Sequence, residues 1–289
     1  MNSPLSDSPS TKPYLTIRPS SGWAALNVRQ LWLFRDLLFT LAQRDIKLRY
    51  KQTALGVLWV ILQPLLAAGI LTFVFGKIAN VPPSGNIPPF LLSYAGMLAF
   101  SAFSSTITKS SGSLIGNAQL ISKVFFPRLL LPLSSVFSTL LDFAVALCVM
   151  VVLMVIYRIS PTIALLTLPI WLALILMLAL GVGLIAAALT VTYRDVQYIL
   201  PVVVSFLTLA SPVAYSAAYV ISRLSPSVRP WYFVLNPLAS LMEAFRWSLL
   251  GRGDVPWNYV AYSSLLAVSL FVLGAFSFKK MERKFADVI

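Results

Sequence analysis

Apolar residues run through this chain in long blocks, and charged residues collect between the blocks. Five blocks carry no charge at all: 54–76, 78–108, 159–193, 196–222 and 255–278. A sixth, 129–157, is interrupted only by Asp142. Each exceeds the roughly 20 residues a helix needs to cross about 30 Å of hydrocarbon. Unpaired backbone groups are costly in lipid, so blocks of this kind must be helical. The pattern predicts an all-α polytopic membrane protein with six transmembrane helices, at about 54–76, 89–108, 129–157, 162–190, 197–219 and 256–278.

The flanking charges give these spans a direction. Arg44, Lys47, Arg49 and Lys51 precede the first span and place that end in the cytoplasm. Lys109, Lys123 and Arg128 fall between spans two and three, and Arg194 between four and five. Lys279, Lys280, Arg283 and Lys284 follow the last, so both termini are expected to be cytoplasmic. The first two external loops carry only Lys77 and Arg158.

Three segments outside the spans have patterns of their own. Residues 23–51 repeat Leu31, Phe34, Leu38 and Leu41 at helical spacing, with Arg29, Asp36, Thr40, Gln43 and Lys47 on another face. That predicts an amphipathic interface helix on the cytoplasmic membrane surface, with a plain leader to the first span as the alternative. In the loop between spans two and three, Ser113 is a candidate cap for a short helix over 114–126, stopped by Pro127. Its apolar side, Leu120, Ile121, Val124 and Phe125, opposes Gln119 and Lys123. Such a helix either receives a protein partner or packs on the base of the bundle.

The third is the segment between spans five and six, which carries Arg223, Arg229, Glu243, Arg246, Arg252 and Asp254. Pro212, Pro226, Pro230 and Pro237 break it repeatedly, and Glu243 and Arg246 form an i,i+3 pair. A re-entrant helical segment at the external surface, about 211–251, fits this pattern. Irregular backbone at that depth survives only where protein buries it or water reaches it.

Composition narrows the chemistry. The chain has 289 residues, 58% hydrophobic and 11% charged, so it is not a soluble globule. Residues 1–22 are rich in Ser and Pro without an apolar core, and read as a disordered cytoplasmic tail rather than a secretory signal. The remaining 52–289 form one six-span domain. A net charge of +13 invites a nucleic-acid partner, but its clustering at span ends argues for no nucleic acid and for contact with membrane lipid. No His is present and Cys148 is the single cysteine, so no metal site, disulfide framework or usual general base is expected. Without a Gly-x-x-x-x-Gly-Lys-Ser/Thr loop, the chain is expected to hold no ATP of its own. Gln63, beside Pro64, and Asp142 are the notable polar groups inside spans. One carboxylate is no acid/base pair, and a hydrogen bond to a neighbouring helix explains Asp142 better than proton relay.

Four stretches, taken in order, resemble the membrane subunit of ABC-2 type exporters that move lipid-linked polysaccharides such as O-antigen, capsule or teichoic acid. They are RDIKLRYKQTALGVLWVILQPLL (44–66), FFPRLLLPLSSVFSTLLDFAVAL (125–147), YRDVQYILPVVVSFLTLASPVAYS (193–216) and LNPLASLMEAFRWSLLG (235–251). The resemblance implies a channel-forming homodimer in the bacterial inner membrane, bound to two copies of a separate cytoplasmic ATPase that supplies ATP and Mg. It implies that 26–51 is the interface helix and that 114–126 is the coupling helix docking in the ATPase. It also implies that two short re-entrant helices lie within 211–251. The channel is expected at the dimer interface, lined mainly by spans one and five, with an undecaprenyl-linked polysaccharide as substrate.

A sugar polymer slides best along aromatic and hydroxyl surfaces. Candidates on the implied lining spans are Trp59, Phe73, Phe75, Phe206, Tyr215 and Tyr219, with Tyr193 and Tyr198 near the cytoplasmic mouth. Each ring also fits an ordinary packing or interfacial-belt role. Arg44, Arg49 and Lys51 are candidates for meeting the lipid pyrophosphate at the entrance, and serve equally as orientation signals. A drug or small-lipid exporter is the second reading, though those subunits more often carry a large external domain. A membrane glycosyl- or phosphotransferase would call for clustered acids, His or a large catalytic loop, and none is present.

Overall fold

The computed structural model describes residues 28–51, 57–82 and 87–282, and every regular element among them is a helix. The chain begins with α1 (Val28–Leu33) and α2 (Arg35–Lys51), then α3 (Val57–Phe73), which runs on into a π-helical turn, Val74–Ile78. After α4 (Pro89–Gly112) come a 3-10 turn (Ile115–Asn117) and α5 (Ala118–Lys123). α6 (Leu130–Ile156) is followed by a second 3-10 turn (Ile163–Thr167) that leads into α7 (Leu168–Thr192). Four shorter helices then follow, α8 (Val196–Ala210), α9 (Ala217–Arg223), α10 (Arg229–Leu235) and α11 (Pro237–Leu250), before α12 (Trp257–Met281).

Five segments are long and apolar enough to cross a membrane: Leu58–Ile78, Pro89–Gly112, Leu130–Ile156, Ile163–Thr192 and Trp257–Met281. α4 and α7 are the most enclosed, while α3, α6 and α12 leave much of their surface outward. One large apolar core joins α4, α6, α7 and α11 through Leu91, Leu98, Met150, Ile175, Leu241 and Phe245. A second, at the end that carries α2 and α5, gathers Leu114, Leu130, Leu184 and Phe278.

Small residues let backbones meet inside the bundle. A methyl group on Gly181 of α7 would stand 2.6 Å from the Leu270 carbonyl of α12, and one on Gly274 would strike the Gly181 carbonyl. Helices in lipid gain by such close approach, since no hydrophobic effect drives them together there.

The expected fifth span, 197–219, is divided. α8 ends at Ala210 after 15 residues, about 22 Å at 1.5 Å per residue. Ser211 is extended (φ −90°, ψ 149°) because it precedes Pro212, whose ring disfavours helical geometry in the residue before it. The chain becomes helical again only at Ala217. Where the resemblance implied two short helices, three follow the break, and Asn236 with Pro237 separates α10 from α11.

The expected coupling helix, 114–126, is also shorter. α5 stops at Lys123, and Val124 is extended (φ −130°, ψ 134°). Ser113 caps no helix N-terminus there. Its hydroxyl donates to the Ser110 carbonyl at 2.7 Å, at the end of α4. α4 itself runs beyond the expected 89–108 to Gly112, which draws Lys109 into the helix.

The interface helix over 23–51 is described from residue 28 and is interrupted at Phe34, between α1 and α2. Leu31, Phe34, Leu38 and Leu41 turn toward the second core, while Asp36, Thr40, Gln43 and Lys47 are exposed. The Arg29 side chain, the tail 1–22, Arg283 and Lys284 lie outside the described residues. Trp32, Leu33, Phe39 and Leu48 are exposed as well, which suits a helix lying in a membrane surface.

Candidate functional site

α3 and α8 each turn an apolar stripe away from the bundle. On α3 it contains Leu58, Trp59, Leu66, Ile70 and Phe73, and on α8 Tyr198, Ile199, Val202, Phe206 and Leu209, all exposed. Tyr193 stands exposed one turn before α8. Trp59 is 53% exposed and Phe206 69%, so these rings are not core packing. Such faces meet lipid, polymer or another copy of the chain.

At the α11 end, three of the sequence candidates come together. The Phe75 and Tyr215 rings stand 5.4 Å apart and the Tyr215 and Tyr219 rings 6.4 Å, within the range of favourable aromatic contacts. The Arg223 guanidinium lies over the Tyr219 ring, 5.4 Å from its centroid. Trp59, Phe73, Tyr193, Tyr198 and Phe206 are spread along the outward faces and make no ring contact with this group.

The break between α8 and α9 explains how Tyr215 is held. A helix end leaves its last carbonyls without partners. Here the Tyr215 hydroxyl donates to the Leu209 carbonyl at 2.9 Å. The Ala210 carbonyl accepts from the Tyr232 hydroxyl at 3.0 Å and from Asn236 Nδ2 at 3.3 Å. Arg246, 2% exposed, donates Nη1 to the Tyr215 carbonyl at 2.9 Å and Nη2 to the Pro212 carbonyl. Nη2 also meets Glu243 Oε1 at 3.0 Å, and the same carboxylate oxygen accepts from the Ala217 amide. From the opposite side, α4 presses its backbone on the break, where a methyl group on Gly96 would overlap the Val213 carbonyl.

Burial pushes the Glu243 carboxyl above the usual carboxylate range, while the Arg246 guanidinium and the Ala217 amide hold it back. Glu243 and Arg246 also line a cleft of about 250 Å³ with Ser216, Arg252 and Asp254.

At the other end the basic residues have partners. Arg44 Nη2 donates to Asp45 Oδ1 at 2.8 Å and to Asn117 Oδ1 at 2.6 Å, tying α2 to the segment before α5. The side chains of Arg49 and Lys51 lie outside the described residues. Of the expected coupling face, Leu120 and Ile121 pack on the second core, whereas Val124 and Phe125 are exposed, Phe125 by 67%. Lys123 is exposed beside them. Arg128 Nη1 donates to the Glu282 carbonyl at 2.8 Å, at the end of α12.

Asp142 has a partner that the loop assignment of Lys109 concealed. Lys109 Nζ reaches Asp142 Oδ2 at 3.0 Å and Ser138 Oγ at 2.9 Å. A carboxylate inside a span requires a cation or donor on a neighbouring helix, and that requirement was the signal for Lys109. Gln63, Ser101, Thr139 and Asp142 line a cleft of about 110 Å³ between α3, α4 and α6, together with Val60, Met97 and Phe143. Asn117, Tyr232 and Asn236 were missed because their partners are distant backbone or side-chain atoms that no spacing reveals.

Known proteins resemble this chain over most of its length. Residues 36–250 match the family model described as ABC-2 type transporter. An O-antigen export system permease protein of Klebsiella pneumoniae is 30% identical over 261 residues, 88% of this chain and 95% of that protein. One of the same description from Myxococcus xanthus is 31% identical over 266 residues, 91% of this chain and 98% of its own. A polysialic acid transport protein of Escherichia coli is 28% identical over 239 residues, 79% and 87% respectively. With four of its five spanning segments, the divided α8–α9 segment and the buried α11 inside the matched region, the chain belongs to the ABC-2 type transporter family.

Proposed function

We propose that this chain is the channel-forming membrane subunit of an ATP-driven exporter that moves a lipid-linked polysaccharide, O-antigen in the first instance, out of the cytoplasm across the bacterial inner membrane. The observation that carries the reading is the near full-length similarity to O-antigen export permeases. The chain performs no chemistry itself. Two copies form the path, and two copies of a cytoplasmic ATPase bind and hydrolyse ATP with Mg. The cargo is an undecaprenyl-linked glycan, and both termini of the chain lie in the cytoplasm.

The outward aromatic faces of α3 and α8 support this arrangement. Facing one another across a two-fold axis, they would form a wall on which sugar rings stack weakly and in succession, so that no single site traps the polymer. Val124 and Phe125 are the apolar contact offered to the ATPase, with Lys123 beside them. Capsular polysaccharide or teichoic acid as cargo is the second reading, favoured by the similarity to the polysialic acid transport protein. A small-lipid or drug cargo has no relative among those described to support it.

The test is reconstitution in vesicles with the partner ATPase, identified by co-purification with this chain, and a labelled lipid-linked glycan. ATP-dependent appearance of the glycan on the far side is the expected result. ATP hydrolysis without glycan movement, for O-antigen and capsule cargo alike, would overturn the reading.

A further inference from the structure

We infer that Glu243 and Arg246 are a positioning pair that holds the α8–α9 break in one conformation, and through it the Phe75–Tyr215–Tyr219 aromatic group as a closed constriction at the outer end of the path. The inference rests on the proposed export function for the path and for what passes it, whereas the hydrogen bonds that hold the break stand apart from it.

Stability does not explain the pair. Two charges removed from water recover little net free energy from each other, and a well-packed apolar pair of similar volume is often as stable. What an apolar pair cannot do is satisfy backbone. Between Ala210 and Ala217 the chain leaves helical geometry, and its amides and carbonyls need partners because the bundle buries Ser211, Pro212, Val213 and Ala217. Arg246 supplies donors to the carbonyls of Pro212 and Tyr215, and Glu243 supplies an acceptor to the amide of Ala217. The ion pair at 3.0 Å fixes the two side chains relative to one another. Two carbonyls of the six-residue irregular stretch 211–216, and the first amide of α9, are thereby referred to one helix turn of α11.

The reference frame is rigid and its dependents are not. All of α11 except Pro237 and Trp247 is buried. α9 is only seven residues long and most of it is partly exposed. Tyr215 is held at its own carbonyl by Arg246, and Tyr219 lies two residues beyond the amide that Glu243 holds, with its N–H on Ser216 Oγ at 3.3 Å. The two rings that meet each other, and Phe75 beyond, are therefore aimed through the backbone. Gly96 against Val213 leaves the stretch no room to retreat toward α4.

Residue type matters in a testable way. The planar guanidinium offers a fork of donors that reaches two carbonyls and a carboxylate together, whereas an ammonium at the end of Lys is a single point. Glu243→Gln keeps an acceptor for Ala217 and Arg246 but removes the counter-charge of a buried guanidinium, so it should release the break less than Glu243→Ala does. Arg246→Lys and Glu243→Ala should release the break. Exchanging the two residues should not rescue, because the carbonyls would lose their donor.

The experiment uses the full chain in vesicles with its ATPase and reads passive efflux of an entrapped small fluorescent dye without ATP. Losing one hydrogen bond to a charged group amounts to about tenfold or more in a closed-to-open equilibrium, so Arg246→Lys should raise efflux by about that factor. A second readout uses Cys148→Ser with Phe75→Cys and Tyr215→Cys, joined by a short bifunctional thiol reagent. The cross-link should form efficiently with Arg246 and fall severalfold with Lys. Glu243→Ala gives the same two readouts where Arg246→Lys fails to accumulate. Wild-type efflux together with wild-type cross-linking in the released variants would overturn the inference. Failure of the wild-type chain to export glycan would instead overturn the proposed cargo, since dye efflux and cross-linking require no glycan.

Discussion

Lys109 on α4 and Asp142 on α6 meet at 3.0 Å inside the bundle, although one follows an apolar run and the other interrupts one. Ser138 accepts from the same ammonium one turn from Asp142, so the charge on each side is answered. The contact ties together the two helices that flank α5.

Its removal should be asymmetric. Lys109→Met leaves a largely buried carboxylate without its cation and should cost about 2–3 kcal/mol, below the 3–5 kcal/mol of a fully enclosed pair because some solvent exposure remains. Lys109→Met with Asp142→Leu should recover most of that loss. Thermal unfolding midpoints of the purified variants in detergent provide the measurement. Equal loss in single and double variants would show that the two residues act independently.

Val124→Glu with Phe125→Glu places two carboxylates where two exposed apolar side chains now stand. Co-purification of the ATPase, or stimulation of its activity, should be abolished while the chain still inserts in the membrane. Persistent association together with persistent export would remove these residues from the coupling contact.

Trp59→Ala, Tyr215→Ala and Tyr219→Ala together should slow polymer export per ATP hydrolysed and, since two of the rings belong to the outer constriction, raise passive dye efflux, while leaving assembly and ATP hydrolysis close to wild type. A single lost stacking contact removes roughly 0.5–1.5 kcal/mol, so single variants should be mild and the triple severe. Trp59 is half exposed, so its truncation leaves no core cavity and the protein should accumulate. Glycan transport per ATP hydrolysed is the quantity to follow, and a normal ratio in the triple variant would exclude these rings from the path.

A topology reporter fused after Ile289 should be active only in the cytoplasm, and one inserted within 82–88 only outside. The basic flanks of the spans motivate both expectations. A C-terminal reporter active only outside would reverse the whole orientation.

Most spans were legible because a charge-free run of sufficient length has few alternatives in lipid; α6 and α12 begin and end within three residues of the expected bounds, whereas α7 begins six residues late, behind the 3-10 turn Ile163–Thr167. The bounds failed where a polar residue found a partner out of sequence. Lys109 reads as the end of a run, yet Asp142 allows α4 to carry it onward to Gly112. The division of α8 from α9 was hidden by the opposite circumstance. No charge intervenes before Arg223, so the expected span runs to 219 even though Pro212 reads as a breaker and the re-entrant segment is placed from about 211. The i,i+3 spacing of Glu243 and Arg246 was visible, but their backbone partners 26 to 34 residues earlier belong to tertiary structure alone. Arg44 likewise looks like an orientation signal until Asn117 arrives at 2.6 Å.

The glycine contact between α7 and α12 has a mechanical meaning. With Gly181 against the Leu270 carbonyl and Gly274 against the Gly181 carbonyl, no side chain lies between the two backbones at that point. There is nothing there to deform, so the two helices form one lever without slack. Its lower end, at Glu282, grips Arg128 just beyond the exposed Phe125. A displacement applied there has a stiff route along the paired helices to the other end of α12, at Trp257.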